Sequence, residues 1–475
     1  MHEQHISSVY FIGIGGVGMS GIARVAFDQG LQVSGSDLRE SRYTKQLEDA
    51  GITVHIGHDA KNIYGTGSDD GPDLVVTSTA ILDNNPELKA AKDRGLLIWH
   101  RAQMLAYLGR NLKTLAVAGT HGKTTTSSML ASVLDTMGLD PTFLIGGIVR
   151  SYGTNAHSGQ GSYYVVEADE SDKSFTYLSP HAVLVTNIET DHLDHYKNLS
   201  EIRANFATFI QSVYEGANLA VVCGEDSELV KLAKSTGVNV LTYGFGDDFD
   251  IAITSYETQG IKSLFSLRLP SGEEVHTQIK QNPGRHNVLN GAGVLGLIDA
   301  LGLSAQEAAS ALAEFAGVKR RFDLVGEAEG ITVVDDYAHH PTEIAATIDA
   351  ASKLGYSRVC VLFQPHRYSR APLFTEVLHD EFGAAFDKAD TLTFMDVYPA
   401  GEAPIPGING KTFLNVVLDH DGHPEANYVP KRTDLVPYLV DHLQAGDLLI
   451  TMGAGDVTSI APQVLQALEN KKEKN

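Results

Sequence analysis

Gly119, Thr120, His121, Gly122, Lys123, Thr124 and Thr125 stand between an apolar run, Thr114-Leu115-Ala116-Val117, and a helix-like run from Ser127 to Met137. Residues of these types at a strand-to-helix junction can hold a chain of phosphates. Glycines let backbone N–H groups turn inward, the helix start adds partial positive charge, the Lys ammonium reaches terminal phosphates, and a Thr hydroxyl can sit on Mg²⁺. The spacing is two residues shorter than the usual G-x-x-x-x-G-K-[ST] pattern. A second loop, Gly13-Ile14-Gly15-Gly16-Val17-Gly18, follows the strand-like Val9-Tyr10-Phe11-Ile12 at once and leads into a helical pattern from Met19 to Gln29. Asp37 closes the next strand-like run, 19 positions after Gly18. This is a dinucleotide-type fingerprint in its required context: Gly13 for the tight turn, Gly15 and Gly16 for close approach of a diphosphate, Gly18 for helix packing, and Asp37 to accept from a ribose.

The elements that must position these loops fall into three stretches. Residues 1–112 predict a Rossmann-like domain. Its second half is short, with only Leu74 to Thr79 and Leu96 to His100 as further strand-like runs. A dinucleotide needs a full second half, so a diphosphate shared with one nucleoside and one sugar, as in a UDP-sugar, fits better than NAD. Met19 and Ser20 at the helix start, Ser78 and Thr79, and His100 and Arg101 at the strand ends are the further candidate contacts for that sugar nucleotide. Residues 113–317 predict a parallel sheet of P-loop ATPase type with a small antiparallel insert between about Phe249 and Gln281. Two of its strand-like runs end on polar loops, Glu167 to Asp172 and Asn187 to His195, where open parallel sheets put their ligands. Glu167, the first carboxylate after a buried strand, is the candidate to join Thr124 on Mg²⁺. His192 is a candidate for a second ion or for orienting substrate. Asp169, Glu170, Asp172 and Asp194 read as a solvated acidic rim. His286, Asn287 and Asn290 open a helix, either as caps or as contacts to an adenine edge.

Residues 318–475 predict a third domain. It begins on the most basic cluster of the chain, Lys319-Arg320-Arg321, either a surface ion-pair patch or a phosphate clamp. Its strand-like runs end on Asp335 to Glu343, on Gln364 to Arg370 and on Gly453-Ala454-Gly455-Asp456.

At 475 residues the length suggests about three domains. An apolar fraction of 43% without a low-complexity tract predicts ordered structure. No run is long enough to span a bilayer, and the first residues lack the basic and apolar regions of a secretory signal. Cys223 and Cys360 sit in apolar runs as inert buried thiols. These features predict a cytoplasmic protein. The net charge of −23 argues against nucleic acid or an anionic membrane as partners, though not against phosphate ligands held by local groups. An NAD-dependent dehydrogenase, favoured by the first loop alone, and a nucleotide-gated scaffold, favoured by the second alone, are the readings from other function classes.

Five ordered motifs carry a resemblance over the whole chain. They are Gly-Ile-Gly-Gly-Val-Gly-Met-Ser-Gly at 13–21, Gly-Thr-His-Gly-Lys-Thr-Thr-Thr at 119–126, Glu-Ala-Asp-Glu-Ser-Asp at 167–172, Asn-Ile-Glu-Thr-Asp-His-Leu-Asp at 187–194 and Asp-Asp-Tyr-Ala-His-His-Pro at 335–341. The chain resembles the Mur ligases, and among them the alanine-adding branch. The resemblance implies an α/β fold of three domains: an N-terminal Rossmann-like domain for a UDP-sugar, a central ATPase domain, and a C-terminal Rossmann-like domain that closes over the nucleotide. It implies ATP and Mg²⁺ as cofactors, UDP-N-acetylmuramate and L-alanine as substrates, an acyl-phosphate intermediate, and a monomer or homodimer active in cell-wall synthesis. By motif, Lys123 would neutralise the β/γ-phosphates, Thr124 and Glu167 would hold Mg²⁺, and His192 would serve a second metal. His286, Asn287 and Asn290 would lie near adenine or ribose, with Arg321 and Asp336 approaching the nucleotide. Tyr337, His339, His366, Arg367 and Arg370 would line the amino-acid and acyl-phosphate site, with Lys123, His192, His339 and Arg367 as the catalytic set. One departure stands out: related ligases carry a carbamylated Lys where Ile202-Arg203-Ala204-Asn205-Phe206 has none. A recycling ligase that attaches an intact tripeptide shares these motifs and is the rival within the family.

Overall fold

A computed structural model of the chain describes residues 6–65, 71–171, 173–189, 196, 198–213 and 217–472. The chain forms two compact units, one of residues up to 252 together with 293–311, the other of 253–292 with 312–475.

The first unit contains β1 (Ser8–Ile12), β2 (Gln32–Asp37), β3 (Thr53–Ile56), β4 (Leu74–Thr77), β5 (Leu97–His100), β6 (Lys113–Ala118), β7 (Thr142–Val149), β8 (Thr154–His157), β9 (Tyr163–Glu167), β10 (Ala182–Val185), β11 (Leu219–Cys223) and β12 (Asn239–Phe245). β1 to β5 make a parallel sheet in the order β3-β2-β1-β4-β5. β1, at its centre, is wholly buried, as expected of a continuous apolar run covered on both faces. A buried carboxylate ties the loops of this sheet together. Glu87 is fully enclosed and accepts from Tyr10 OH at 2.9 Å, Ser36 Oγ at 2.6 Å and Asn62 Nδ2 at 2.8 Å, with His58 Nδ1 at 2.9 Å. Ser36 is thereby fixed, and its carbonyl accepts the N–H groups of Gly13 at 2.8 Å and Ile14 at 2.9 Å.

The second sheet of this unit runs β12-β11-β10-β6-β9-β7-β8, parallel except for the β7-β8 hairpin. The helix Val17–Asp28 packs against that hairpin. A Cβ at Gly21 would lie 3.0 Å from Ala156 Cβ and 3.1 Å from Leu144 Cδ2, so only glycine allows the approach. Asn155 Nδ2 donates to Val17 O at 3.2 Å and pins the start of the helix.

β13 (Ile251–Gln259) leads into the second unit, where β14 (Lys262–Arg268) and β15 (Glu274–Ile279) pair antiparallel, as the alternating insert predicts. The rest of this unit holds β16 (Asp323–Ala328), β17 (Ile331–Asp336), β18 (Arg358–Phe363), β19 (Thr391–Phe394), β20 (Glu425–Tyr428) and β21 (Asp447–Met452). They form a sheet in the order β16-β17-β21-β18-β19-β20, parallel apart from β16. Alternate residues of β17 and β18 feed separate cores. Val334, Val361 and Phe363 pack with Ile344, Phe382 and Phe413 on one face, and Val333, Cys360 and Leu362 pack with Leu435, Ile460 and Val464 on the other. Cys223 and Cys360 are buried free thiols, with burial pushing each up to about 11. Among the described residues, no helix is long and apolar enough to cross a membrane.

Candidate active site

β6 ends at the middle of its sheet, and its neighbours β9 and β10 end beside it. The loop from Gly119 is therefore flanked on both sides. Gly119 has φ +137°, and a Cβ there would fall 2.0 Å from Thr186 Oγ1. Gly122, at φ +82°, is the N-cap of the helix Lys123–Thr136. From the β10 side, Asn187 O accepts from Thr120 N–H at 3.0 Å, Asn187 Oδ1 accepts from His121 N–H at 2.9 Å, and Thr186 Oγ1 donates to His121 O at 2.5 Å. Thr120 Oγ1 accepts from Glu189 N–H at 2.8 Å. His121 Nε2 lies 3.5 Å from the Glu189 carboxylate, and Thr125 is buried.

Lys123 Nζ donates to Gly119 O at 2.6 Å, Thr120 O at 3.1 Å and Glu170 Oε1 at 2.8 Å. Burial disfavours its charge, but the carboxylates of Glu170, Asp169 and Glu167 outweigh that and hold the ammonium above its ordinary range. Glu167, at the end of β9, accepts from Thr124 Oγ1 at 2.9 Å and from Gly146 N–H at 2.7 Å. Two hard oxygen donors thus converge beside the lysine.

The acidic rim requires correction. Glu170 is not solvated: it is 2% exposed and is the partner of Lys123. Asp169 pairs with Arg101 at 3.1 Å, and although burial opposes it, Lys123 and Arg101 hold its carboxyl below the usual range. Asp172, His192 and Asp194 lie outside the described residues. On the helix Leu199–Gln211, Asn205 bonds back to Glu201 O and Phe206 is fully buried against Phe175.

In the N-terminal sheet, Gly13 has φ +81° and Gly16 caps the helix Val17–Asp28. Gly15 N–H donates to Asp37 Oδ2 at 2.9 Å, and a Cβ at Gly15 would meet that carboxylate. Gly18 faces Arg101, whose Nη1 would lie 3.3 Å from an added Cβ, so its side is open for a guanidinium as well as for helix packing. Met19 and Ser20 are buried, with Ser20 Oγ donating to Val17 O at 3.0 Å. Ser78 and Thr79 follow β4, next to β1, and His100 caps the helix Arg101–Leu108.

In the second unit, β21 lies between β17 and β18, so the loops after these strands are neighbours. Tyr337 is flanked by Arg320 at 4.8 Å and Arg321 at 5.1 Å. His339 stands 5.5 Å from Tyr337 and 6.2 Å from His366, ring to ring, and its Nδ1 lies 3.4 Å from Glu343. Arg321 is 3.6 Å from the same carboxylate. His366 stacks on Tyr398, and its Nδ1 has no hydrogen-bond partner among the described residues. Arg367 reaches Glu402 at 3.9 Å, and Arg370 is one of the cations facing His366.

The Asp336 carboxylate is buried and accepts from Phe322 N–H at 2.7 Å and Ala338 N–H at 2.8 Å, which holds the basic turn before it. The glycine-rich turn after β21 is braced by Arg320, whose Nη2 donates to Gly453 O at 2.6 Å and Gly455 O at 3.0 Å. Asn287 donates to Asn282 O at 3.1 Å, Asn290 donates to Asn287 at 3.1 Å, and His286 Nε2 lies 3.0 Å from Asn287. All three lie inside the helix Arg285–Ala300, past its first residue, and bond to one another. Sequence reasoning did not single out Gly146, Thr186, Glu343 or Tyr398, and it named Arg320 only within the basic cluster.

Burial, with Arg370, Arg367 and Arg320 beside it, pushes His366 down to about 4. Burial and Arg321 do the same to His286. Both imidazoles stay neutral in the fold but take a proton near 6.5 when unfolded, so their stabilising effect is full above pH 6.5 and is lost as pH falls toward about 4. Between those limits His366→Asn will flatten the fall of Tm with pH relative to the unsubstituted chain, measured by calorimetry. An unchanged slope would contradict the burial of a neutral imidazole.

Comparison with known proteins gives matches along most of the chain. Residues 8–112 match the model of the Mur ligase family catalytic domain, 117–298 the Mur ligase middle domain, and 320–455 the Mur ligase glutamate ligase domain. UDP-N-acetylmuramate--L-alanine ligase of Thermobifida fusca is 44% identical, over 98% of this chain and 97% of that protein. Among solved structures, the UDP-N-acetylmuramate-alanine ligase of Thermotoga maritima aligns with a TM-score of 0.79 at 30% identity, over 98% of this chain and 100% of that one. A murein peptide ligase of Psychrobacter arcticus aligns with a TM-score of 0.69 at 25% identity, over 97% of this chain and 98% of that one. Two glycine loops on parallel sheets, a Thr–Glu oxygen pair beside a buried lysine, and end-to-end likeness of this degree have one reading: the chain belongs to the Mur ligase family.

Proposed function

We propose that this chain is an ATP-dependent ligase that joins L-alanine to the lactyl carboxylate of UDP-N-acetylmuramate in peptidoglycan synthesis. The observation that carries the reading is the 44% identity, over nearly the whole of both chains, to a ligase named for those two substrates. The borders 1–112, 113–317 and 318–475 divide the work: sugar nucleotide, ATP, and amino acid. ATP and UDP-sugars are cytoplasmic metabolites, so the proposed reaction is a cytoplasmic one.

The substrate carboxylate attacks the γ-phosphorus of ATP, the bond to the β–γ bridging oxygen breaks, and ADP leaves. The amine nitrogen then attacks the acyl carbon and expels phosphate. Such phosphoryl transfer needs positioning and charge neutralisation. The loop 119–125 supplies inward N–H groups, and Lys123 supplies charge at the transferred group. The oxygen set of Thr124 and Glu167 suits Mg²⁺, a hard cation, and these two residues would hold it. Bound there, Mg²⁺ neutralises charge on the phosphate oxygens. His286, Asn287 and Asn290 take the nucleoside, with Arg321 and Asp336.

In the amino-acid site, Arg367 and Arg370 receive the alanine carboxylate. The ammonium must lose a proton before attack. His366, pushed down to about 4, is too weak a base to retain it. His339, whose Nδ1 lies 3.4 Å from Glu343, has a carboxylate partner for an imidazolium and is the proton acceptor.

ADP release tests the reading. It will require UDP-N-acetylmuramate together with L-alanine and will be weaker with L-serine or glycine. The likeness to a murein peptide ligase favours a second reading, attachment of an intact tripeptide. Strong turnover with the tripeptide alone would replace the first reading by the second.

A further inference from the structure

Arg101 is the first residue of its helix, whose start is fixed by His100 Nδ1 accepting from Ala102 N–H at 3.4 Å and Gln103 Oε1 accepting from His100 N–H at 2.9 Å. Its guanidinium borders two loops. On one side, Nη1 stands 3.3 Å from where a Cβ of Gly18 would be. On the other, Nη2 donates to Asp169 Oδ2 at 3.1 Å, and Asp169 Oδ1 is itself held by Ser171 N–H at 3.0 Å. Arg101, Asp169 and Glu167 line one small cavity of about 40 Å³, together with Ile22 from the helix that leaves the first glycine loop.

Resting on the reading of residues 13–18 as the UDP-sugar loop, we propose that Arg101 takes the lactyl carboxylate of the sugar nucleotide, the group that is to be phosphorylated, and that Asp169 is its positioning residue. A substrate whose diphosphate lies on the glycine loop must present its carboxylate on the side of Thr124 and Glu167. The Arg101 guanidinium stands on that path, between Gly18 and the loop that follows Glu167. A planar fork of N–H donors matches a carboxylate in two parallel bonds, and a carboxylate such as Asp169 at its edge fixes the plane of the fork. Arg101 therefore discriminates nucleotide sugars that carry an acid on the sugar from those that do not.

Calorimetric titration of the full chain with UDP-N-acetylmuramate and with UDP-N-acetylglucosamine, the same molecule without the lactyl ether, tests this. The unsubstituted chain will bind the former more tightly. Arg101→Gln will weaken UDP-N-acetylmuramate by about 10- to 100-fold and leave UDP-N-acetylglucosamine within about two-fold. Arg101→Lys, which keeps the charge but not the fork, will fall between, and it carries the test if the glutamine variant does not fold. Equal weakening of both ligands would place Arg101 on the diphosphate and overturn the proposal, as would no weakening of either. If the unsubstituted chain bound neither nucleotide, the reading of the glycine loop would itself fail.

Discussion

Lys123→Met will lower turnover by about 100- to 1,000-fold, read as ADP release at saturating UDP-N-acetylmuramate and L-alanine, with little change in the Kd for UDP-N-acetylmuramate. Methionine keeps most of the length of the side chain and removes its charge, and the transferred phosphoryl group spreads negative charge over its oxygens in the transition state. The substitution has a second effect that must be separated from the first. Glu170 is 2% exposed with Lys123 as its partner at 2.8 Å, and burial already pushes its carboxyl up to about 7, so removing the cation takes away the countercharge of a buried acid and will lower Tm. Lys123→Met combined with Glu170→Gln removes both charges, and its Tm will recover toward that of the unsubstituted chain while turnover stays low. Recovery of turnover in the double variant would mean that Lys123 serves the fold and not the phosphates.

The two glycine loops were legible because their determinants are local. A buried strand, a glycine with positive φ and a helix start follow one another within a few residues, as at Gly13 and Gly122. Register and strand order then brought Glu167 and Asn187 to either side of the phosphate loop, which sequence could anticipate from their places at strand ends. What sequence could not show was which acidic residue is buried. Glu170 is indistinguishable from its neighbours until Lys123, 47 positions earlier, is folded against it. The bracing of the turn after β21 is hidden for the same reason: Arg320, 133 positions earlier, donates to the carbonyl of Gly453. The role of Gly18 is also non-local, since its neighbour Arg101 sits on the far side of four strands in the sequence. Local pattern thus identifies the glycine-rich turns, and long-range pairing decides which side chains come to face them.

Glu167→Gln is the sharper test of the metal site, because the geometry lets the side chain stay in place. The carboxylate accepts from Thr124 Oγ1 at 2.9 Å through one oxygen and from Gly146 N–H at 2.7 Å through the other. A glutamine can keep its carbonyl on Gly146 N–H and turn its amide toward Thr124, whose hydroxyl can accept as well as donate. Gly146 allows this close fit, since a Cβ there would lie 2.9 Å from Glu167 Oε2. The change therefore removes charge and one hard oxygen while preserving packing. Turnover will fall by about 100- to 1,000-fold, the several kcal/mol that a bound cation contributes to charge stabilisation. The Mg²⁺ concentration for half-maximal ADP release will rise, while the Kd for UDP-N-acetylmuramate and the Tm stay close to those of the unsubstituted chain. Turnover near the unsubstituted level with the same Mg²⁺ dependence would remove Glu167 from the metal site and leave Thr124 without its partner there. A fall in turnover at an unchanged Mg²⁺ requirement would instead assign the carboxylate to holding the Thr124 hydroxyl and the Gly146 backbone in place.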